Sequence, residues 1–233
     1  MNRSESRFGF CVPVFANPGP AFFRTPAWTG LDPAAAIDAC VEAERLGYDS
    51  VWVADHLVHG FDDAILEGWT TLSVIAGRTS SIRLGTIHLA QLFRAPSLTA
   101  KMDVLSGGRL IFFYDCGWQE AEVRMYGPEW PTEDERIERL EEGVELITRL
   151  WQAGSPVNFS GRFYSTEGAL CRPPPLQRPR PPIDFSELEL SLEIQVLVAP
   201  TDAEAKERPL PGLCSVRCRR RCFPRSTLRC SAA

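Results

Sequence analysis

Residues 42–57 read EAERLGYDSVWVADHL, and this stretch decides the fold. Its first part is the end of an amphipathic helix that stops at Gly47, a residue type that closes helices readily in the left-handed conformation. Its second part, 50–54 (SVWVA), is a short apolar run suited to a buried strand. Asp55 and His56 follow where that strand would end. Upstream, Asp32-Pro33 reads as an N-cap with proline at the first helical position, so the helix spans DPAAAIDACVEAERLG and buries Ile37, Cys40 and Val41. Residues 8–14 (FGFCVPV) form the strand before it. Downstream, the pattern predicts a helix over 69–78, a strand over 82–89, a short helix over 97–105 ending at Gly107-Gly108, and a strand over 109–114.

A fourth helix is the clearest. Thr132 and Glu135 have the spacing of a capping box. Ile137, Leu140, Val144, Ile147 and Trp151 then recur at three- or four-residue steps as one apolar stripe. Glu135–Arg139 and Glu145–Arg149 are spaced for surface ion pairs. Four strand–helix units with apolar strands mean a parallel sheet covered by helices, either a barrel or an open doubly wound sheet. No Gly-rich dinucleotide or phosphate fingerprint follows the first strand, which disfavours the open sheet. A full eight-unit barrel takes about 250 residues. Four units are spent by Gly154, and the remainder offers one convincing strand, 193–199, so the expected fold is an incomplete α/β barrel.

The chain has 233 residues, 44% of them apolar and 24% charged, which excludes a disordered or fibrous protein. No apolar run approaches the roughly 20 residues of a membrane span, and MNRSESRFGF lacks a signal-peptide core. A cytoplasmic protein with no membrane partner is expected. The net charge of -5 argues against nucleic acid as a partner. Residues 209–233 differ from the rest, with six Arg, four of the eight Cys and no acid. The expected organisation is therefore one domain over 1–208 and a disordered, dispensable tail over 209–233. The tail's cysteine spacing is poor for zinc, and its Arg, Pro and Cys content has the character of off-frame translation of a GC-rich gene.

Several motifs then occur in a fixed order: RFGFCVPV, EAERLGYDSVWVADHL, TSSIRLGT, KMDVLSGGRLI, GWQEAEVRMYG and PLQRPRPPI. In this the sequence resembles the luciferase-like flavin- or deazaflavin-dependent oxidoreductases and monooxygenases, over residues 7–183. The resemblance implies a TIM barrel with the cofactor at the C-terminal strand ends. The cofactor would be FMN or the deazaflavin coenzyme F-420, and the substrate a small organic molecule. A homodimer or other self-association is expected, and the alternative function is that of an inactive truncated fragment or pseudoenzyme of the family that only self-associates. The sequence departs from the pattern in four places. Arg94-Ala95-Pro96 stands where Arg-His-Pro is common. The helix within KMDVLSGGR looks clipped by about one turn. Phe113, Tyr114, Asp115 and Cys116 stand where a Gly-rich loop is expected. After Ile183 the pattern is lost.

His56, at a strand end and able to exchange a proton near neutral pH, is the candidate catalytic residue. A loop histidine bonded to nearby backbone is the plain alternative. The resemblance places Asp55, Thr86, Tyr114, Asp115 and Trp118 against the cofactor. Asp55 would orient its loop. Thr86 is favoured over His88, which alternates with it and could be only an interior polar group. Trp118 and Glu120 could wall the pocket, or Trp118 could pack under the loop. Phe15, Phe22, Phe23 and Trp28 would build an apolar lid or a small loop core. His56 and His59 form an H-x-x-H pair without a third ligand, so no metal is expected.

Overall fold

The computed structural model describes residues 7–16, 30–93, 99–127 and 129–182. The chain divides into two compact units, Met1–Ile194 and Gln195–Ala233, and every described residue lies in the first. The expected strand over 193–199 and the tail over 209–233 lie outside the described residues, as do Phe22, Phe23 and Trp28.

Asp32 caps helix α1 (Pro33–Arg45) by accepting from the Ala35 N–H at 3.0 Å, with proline inside the first turn. Gly47 follows with φ +83, a value that suits glycine. Strand β1 (Gly9–Cys11) lies beside β2 (Ser50–Ala54), then β3 (Arg83–Ile87), with β4 (Leu89–Ala90) continuing past His88. Helix α2 (Gly68–Arg78) separates β2 from β3, and α3 (Thr99–Leu105) precedes β5 (Leu110–Ile111) and β6 (Tyr114–Asp115). All pairings in the order β1-β2-β3-β5 are parallel, and β4 pairs with β6 in parallel beyond it. This is the four-strand arc expected, and the barrel is not closed among the described residues. The third and fourth expected strands are each interrupted, at His88 and at Phe112-Phe113.

Alternation along the strands sorts the faces. Val51, Val53, Leu84 and Leu110 are buried together with Ile37, Cys40, Leu72, Ile75 and Met102 from the helices. Val41 is only half-buried; Ala36 and Ala43 complete the buried face of α1 instead. On the opposite face of the sheet, the Trp52 indole crosses its neighbours. A Cβ at Gly9 would come within 2.5 Å of its Nε1, and a Cβ at Gly85 within 2.6 Å of its six-membered ring. Glycine at both positions lets one indole cover three strands, and Nε1 donates to Ser50 Oγ at 3.0 Å.

Two elements were not foreseen after β6. One is the six-residue helix α4 (Glu120–Met125); the other is an antiparallel hairpin, β7 (Val157–Ser160) with β8 (Ser165–Ala169). Between them α5 (Glu133–Gln152) has the full Thr132/Glu135 capping box and the Arg149–Glu145 ion pair. Its buried face is Gly143, Leu146, Ile147, Leu150 and Trp151, rotated from the expected stripe, and Ile137 is exposed. Gly143 packs against the rings of Tyr114 and Tyr164 on this face. Glu135 pairs with Arg162 of the hairpin rather than with Arg139.

Asp103 of α3 is fully buried and accepts from Leu176 N, Gln177 N and Gln177 Nε2 at 2.6, 3.1 and 2.7 Å. It ties KMDVL to PLQRP across some seventy residues. Asp103→Ala would strand three donors, so the expected loss is about 2–4 kcal/mol. Denaturant unfolding at constant m-value checks it, and Gln177→Ala should add less than its single-variant cost.

Candidate active site

The C-terminal ends of β2, β4 and β6 meet the start of α4 at one cleft, lined by Asp55, His56, His88, Asp115, Trp118 and Gln119 among others. Parallel strands direct their ends and loops to one edge, which is why residues distant in sequence converge there.

His56 is nearly enclosed, and its Nδ1 lies 2.9 Å from Glu122 Oε2. The other carboxylate oxygen accepts from the Leu57 and Val58 N–H groups, the latter at 3.1 Å. Glu122 therefore holds both the imidazole and the loop carrying it. Burial pushes its carboxyl up, but the hydrogen bonds from His56, Leu57 and Val58 outweigh that and hold it below the ordinary carboxylate value. His59 stacks on His56 with centroids 4.7 Å apart, and Trp118 meets the same ring edge-on at 5.5 Å. Burial, and then the neighbouring His56, lower the pKa of His59, with Glu122 partly offsetting them.

Asp55 is buried, and its Oδ2 accepts from Ala90 N at 3.3 Å, which fastens β4 to the end of β2. His88 Nδ1 lies 3.1 Å from Asp115 Oδ2, while Asp115 Oδ1 accepts from Gly117 N at 2.8 Å. The Gln119 carboxamide oxygen is buried without a hydrogen-bond partner among the described residues.

The structure thus brings His56, Asp55, Asp115 and Trp118 together and leaves two candidates elsewhere. Thr86 is paired in register with Val53 and shares the buried, helix-facing side of β3 with Leu84. Tyr114 stacks on Phe112 and packs beneath α5, where burial raises the phenol pKa. Phe15 is buried edge-on against His59 at 4.4 Å, part of the loop's own packing. Glu120, offered with Trp118 as a wall of the pocket, points out to Arg124, and Glu122 turns in. Glu122 went unread because a six-residue helix is too short for a face to show in its periodicity. The adjacent Val123 was the available signal.

A family model described as luciferase-like monooxygenase matches residues 19–186. The chain belongs to that family. An F420-dependent glucose-6-phosphate dehydrogenase of Amycolatopsis mediterranei is 35% identical over 139 residues, 57% of this chain and 41% of that protein. The enzyme of the same name from Intrasporangium calvum is 34% identical over 162 residues, covering 65% of this chain and 46% of the relative. The matched part of this luciferase-like chain spans less than half the length of either. Among solved structures, an F420-dependent secondary alcohol dehydrogenase in complex with an F420-acetone adduct aligns with TM-score 0.58 at 24% identity. The alignment covers 74% of this chain and 50% of that one. That likeness gives the fold: a luciferase-like α/β barrel, of which the described residues form an open arc. No helix among the described residues is long and apolar enough to cross a membrane.

Glu122 and His59 both have folded pKa values below their ordinary ones, so the unfolded chain binds more protons and stability rises with pH. The His59 contribution is complete above about 6.5 and fades as pH falls below it. The Glu122 contribution is complete above about 4.3 and is lost as pH falls through its lowered folded value. Urea midpoints measured from pH 8 to 3 should decline in these two stages. His59→Gln should remove the upper stage, and Glu122→Gln should shrink the lower, to which Glu44 and Glu142 also contribute.

Proposed function

We propose that the chain supplies the acid–base side of a flavin- or deazaflavin-dependent oxidoreductase acting on a small alcohol or carbonyl compound. The observation that carries this is the enclosed His56–Glu122 pair at the strand-end cleft. An ionised carboxylate only accepts, so the pairing keeps the proton on Nδ1 and leaves Nε2 unprotonated when the ring is neutral. Nε2 has no partner among the described residues. In this reading it takes the hydroxyl proton of an alcohol, and Glu122 stabilises the imidazolium that results. Trp118 and His59 hold the ring in one plane.

The cleft suits a flat heterocycle with hydrogen-bonding edges. The unpartnered Gln119 oxygen can accept from a ring N–H, Trp118 and Phe113 present exposed aromatic surface, and two imidazoles border the space. When bound, such a cofactor supplies a two-electron hydride acceptor. FMN and F420 share these features; the dehydrogenase relatives favour F420, and His88, Trp118 and Gln119 would hold it. A second reading, an inactive fragment that self-associates, has its own support. The match covers under half of each relative, and β1 and β5 each have only one neighbouring strand among the described residues.

Titration with F420 and with FMN, followed by fluorescence quenching, separates the two readings. The expected result is saturable binding, about tenfold tighter for F420 than for FMN. His56→Gln should keep that affinity while lowering alcohol turnover by about 10²–10⁴. Glutamine is chosen over alanine because the enclosed ring is part of the packing. No saturable quenching, with light scattering dominated by large species, would favour the fragment.

A further inference from the structure

The cleft holds a second histidine–carboxylate pair that the reading above does not use. Asp115 and Glu122 are placed alike: one oxygen faces an imidazole Nδ1 and the other accepts from backbone N–H of an adjoining loop. The pairs differ in exposure. The His56 and Glu122 side chains are 11% and 2% exposed, those of His88 and Asp115 26% and 24%. Phe113 lies against the His88 ring with centroids 4.6 Å apart, which limits its rotation. Both carboxylate oxygens of Asp115 are engaged, one by the imidazole and one by the loop, which fits it to orient the ring. An ionised Asp115 accepts only, so the ring nitrogen facing it carries the proton and Nε2 keeps its lone pair.

We propose that His88, positioned by Asp115, is a second proton-exchanging residue of this cleft, working through Nε2 at its open side while His56 works at its closed side. The step moves a proton alone: His88 Nε2 takes it from a ligand O–H or N–H and passes it to water, and no electrons move. Two such residues suit a ligand set that loses or gains protons at two positions, as an alcohol and a nitrogen-rich ring do together. The identity of that ligand rests on the function proposed above; the state of the His88–Asp115 pair does not.

The full chain has three histidines, so its imidazole ¹⁵N resonances can be assigned with single His→Gln variants. In the free protein, with its rings neutral, His88 is expected as the Nδ1–H tautomer. Asp115→Asn turns an NH₂ group toward Nδ1 and should force the Nε2–H tautomer at His88, with His56 unchanged. An Nε2–H His88 in the parent chain overturns the proposal without any variant. Acylation by diethyl pyrocarbonate, which needs an accessible unprotonated ring nitrogen, is the second measurement. His88 should react faster than His56, and Asp115→Asn should slow it about tenfold, the factor of an about 1.4 kcal/mol tautomer preference. Equal rates in the parent and the variant overturn it. Bound F420 should protect His88. If F420 binds and shields His56 while His88 reacts at its free rate, His88 is out of ligand reach and the proposal falls. If F420 does not bind but the tautomer and acylation results hold, the cofactor reading fails and the proton-exchanging pair stands.

Discussion

Four carboxylates, one from each of four helices, join segments of sequence that are apart in the chain, Glu142 of α5 to the hairpin among them. Glu44, at the end of α1, accepts from the N–H groups of Ser80, Ser81 and Ile82 at 2.8, 2.6 and 2.9 Å. Burial opposes its charge, but those bonds hold its carboxyl at about 2. Asp103 does the same for Leu176 and Gln177, and Glu122 for Leu57 and Val58. Backbone N–H groups in loops have no ladder partner and must find one. A helix-borne carboxylate satisfies two or three at once and fixes the loop to the helix. This gives a physical reason for the paired motifs: EAERLG with TSSIRLG, KMDVL with PLQRP, and GWQEAEV with ADHLV.

The opposite face of the sheet obeys a different constraint, one of space. Trp52 can lie across β1 and β3 because both offer glycine, and any side chain there would collide with a rigid ring. The same alternation that puts Trp52 on this face puts Val53, and with it Thr86, on the other. Strand register thus places Thr86 on the helix-facing side of β3.

Long, strongly patterned elements were legible. The α1 cap, Gly47, the β2 run and the α5 capping box each follow from a local rule that tertiary structure did not override. His56 was legible for the same reason, since a clear strand fixes where its end must be. What failed was short or cooperative. Residues 157–160 and 165–169 are largely polar, and their hairpin is pinned by Glu142, which accepts from Arg162, Phe163 and Tyr164 N–H groups. No window of four or five residues carries that information. The choice between Glu120 and Glu122 likewise depends on which side of a six-residue helix meets the β2 loop, a fact of packing rather than of pattern.

Glu122 shows why the fold and the chemistry of this cleft are hard to separate. Its two oxygens have two customers: one imidazole, and the backbone of the loop that places that imidazole. Removing the carboxylate releases both, so lost activity in such a variant would not distinguish a lost orienting group from a moved loop. His56 is the informative position, because a glutamine there can still offer Glu122 a donor and leave the Leu57 and Val58 bonds in place. Asp115 divides its oxygens in the same way between His88 and Gly117 N. A chain that builds two imidazoles into one cleft by one device has set the orientation of each ring through the same bond that shapes its loop.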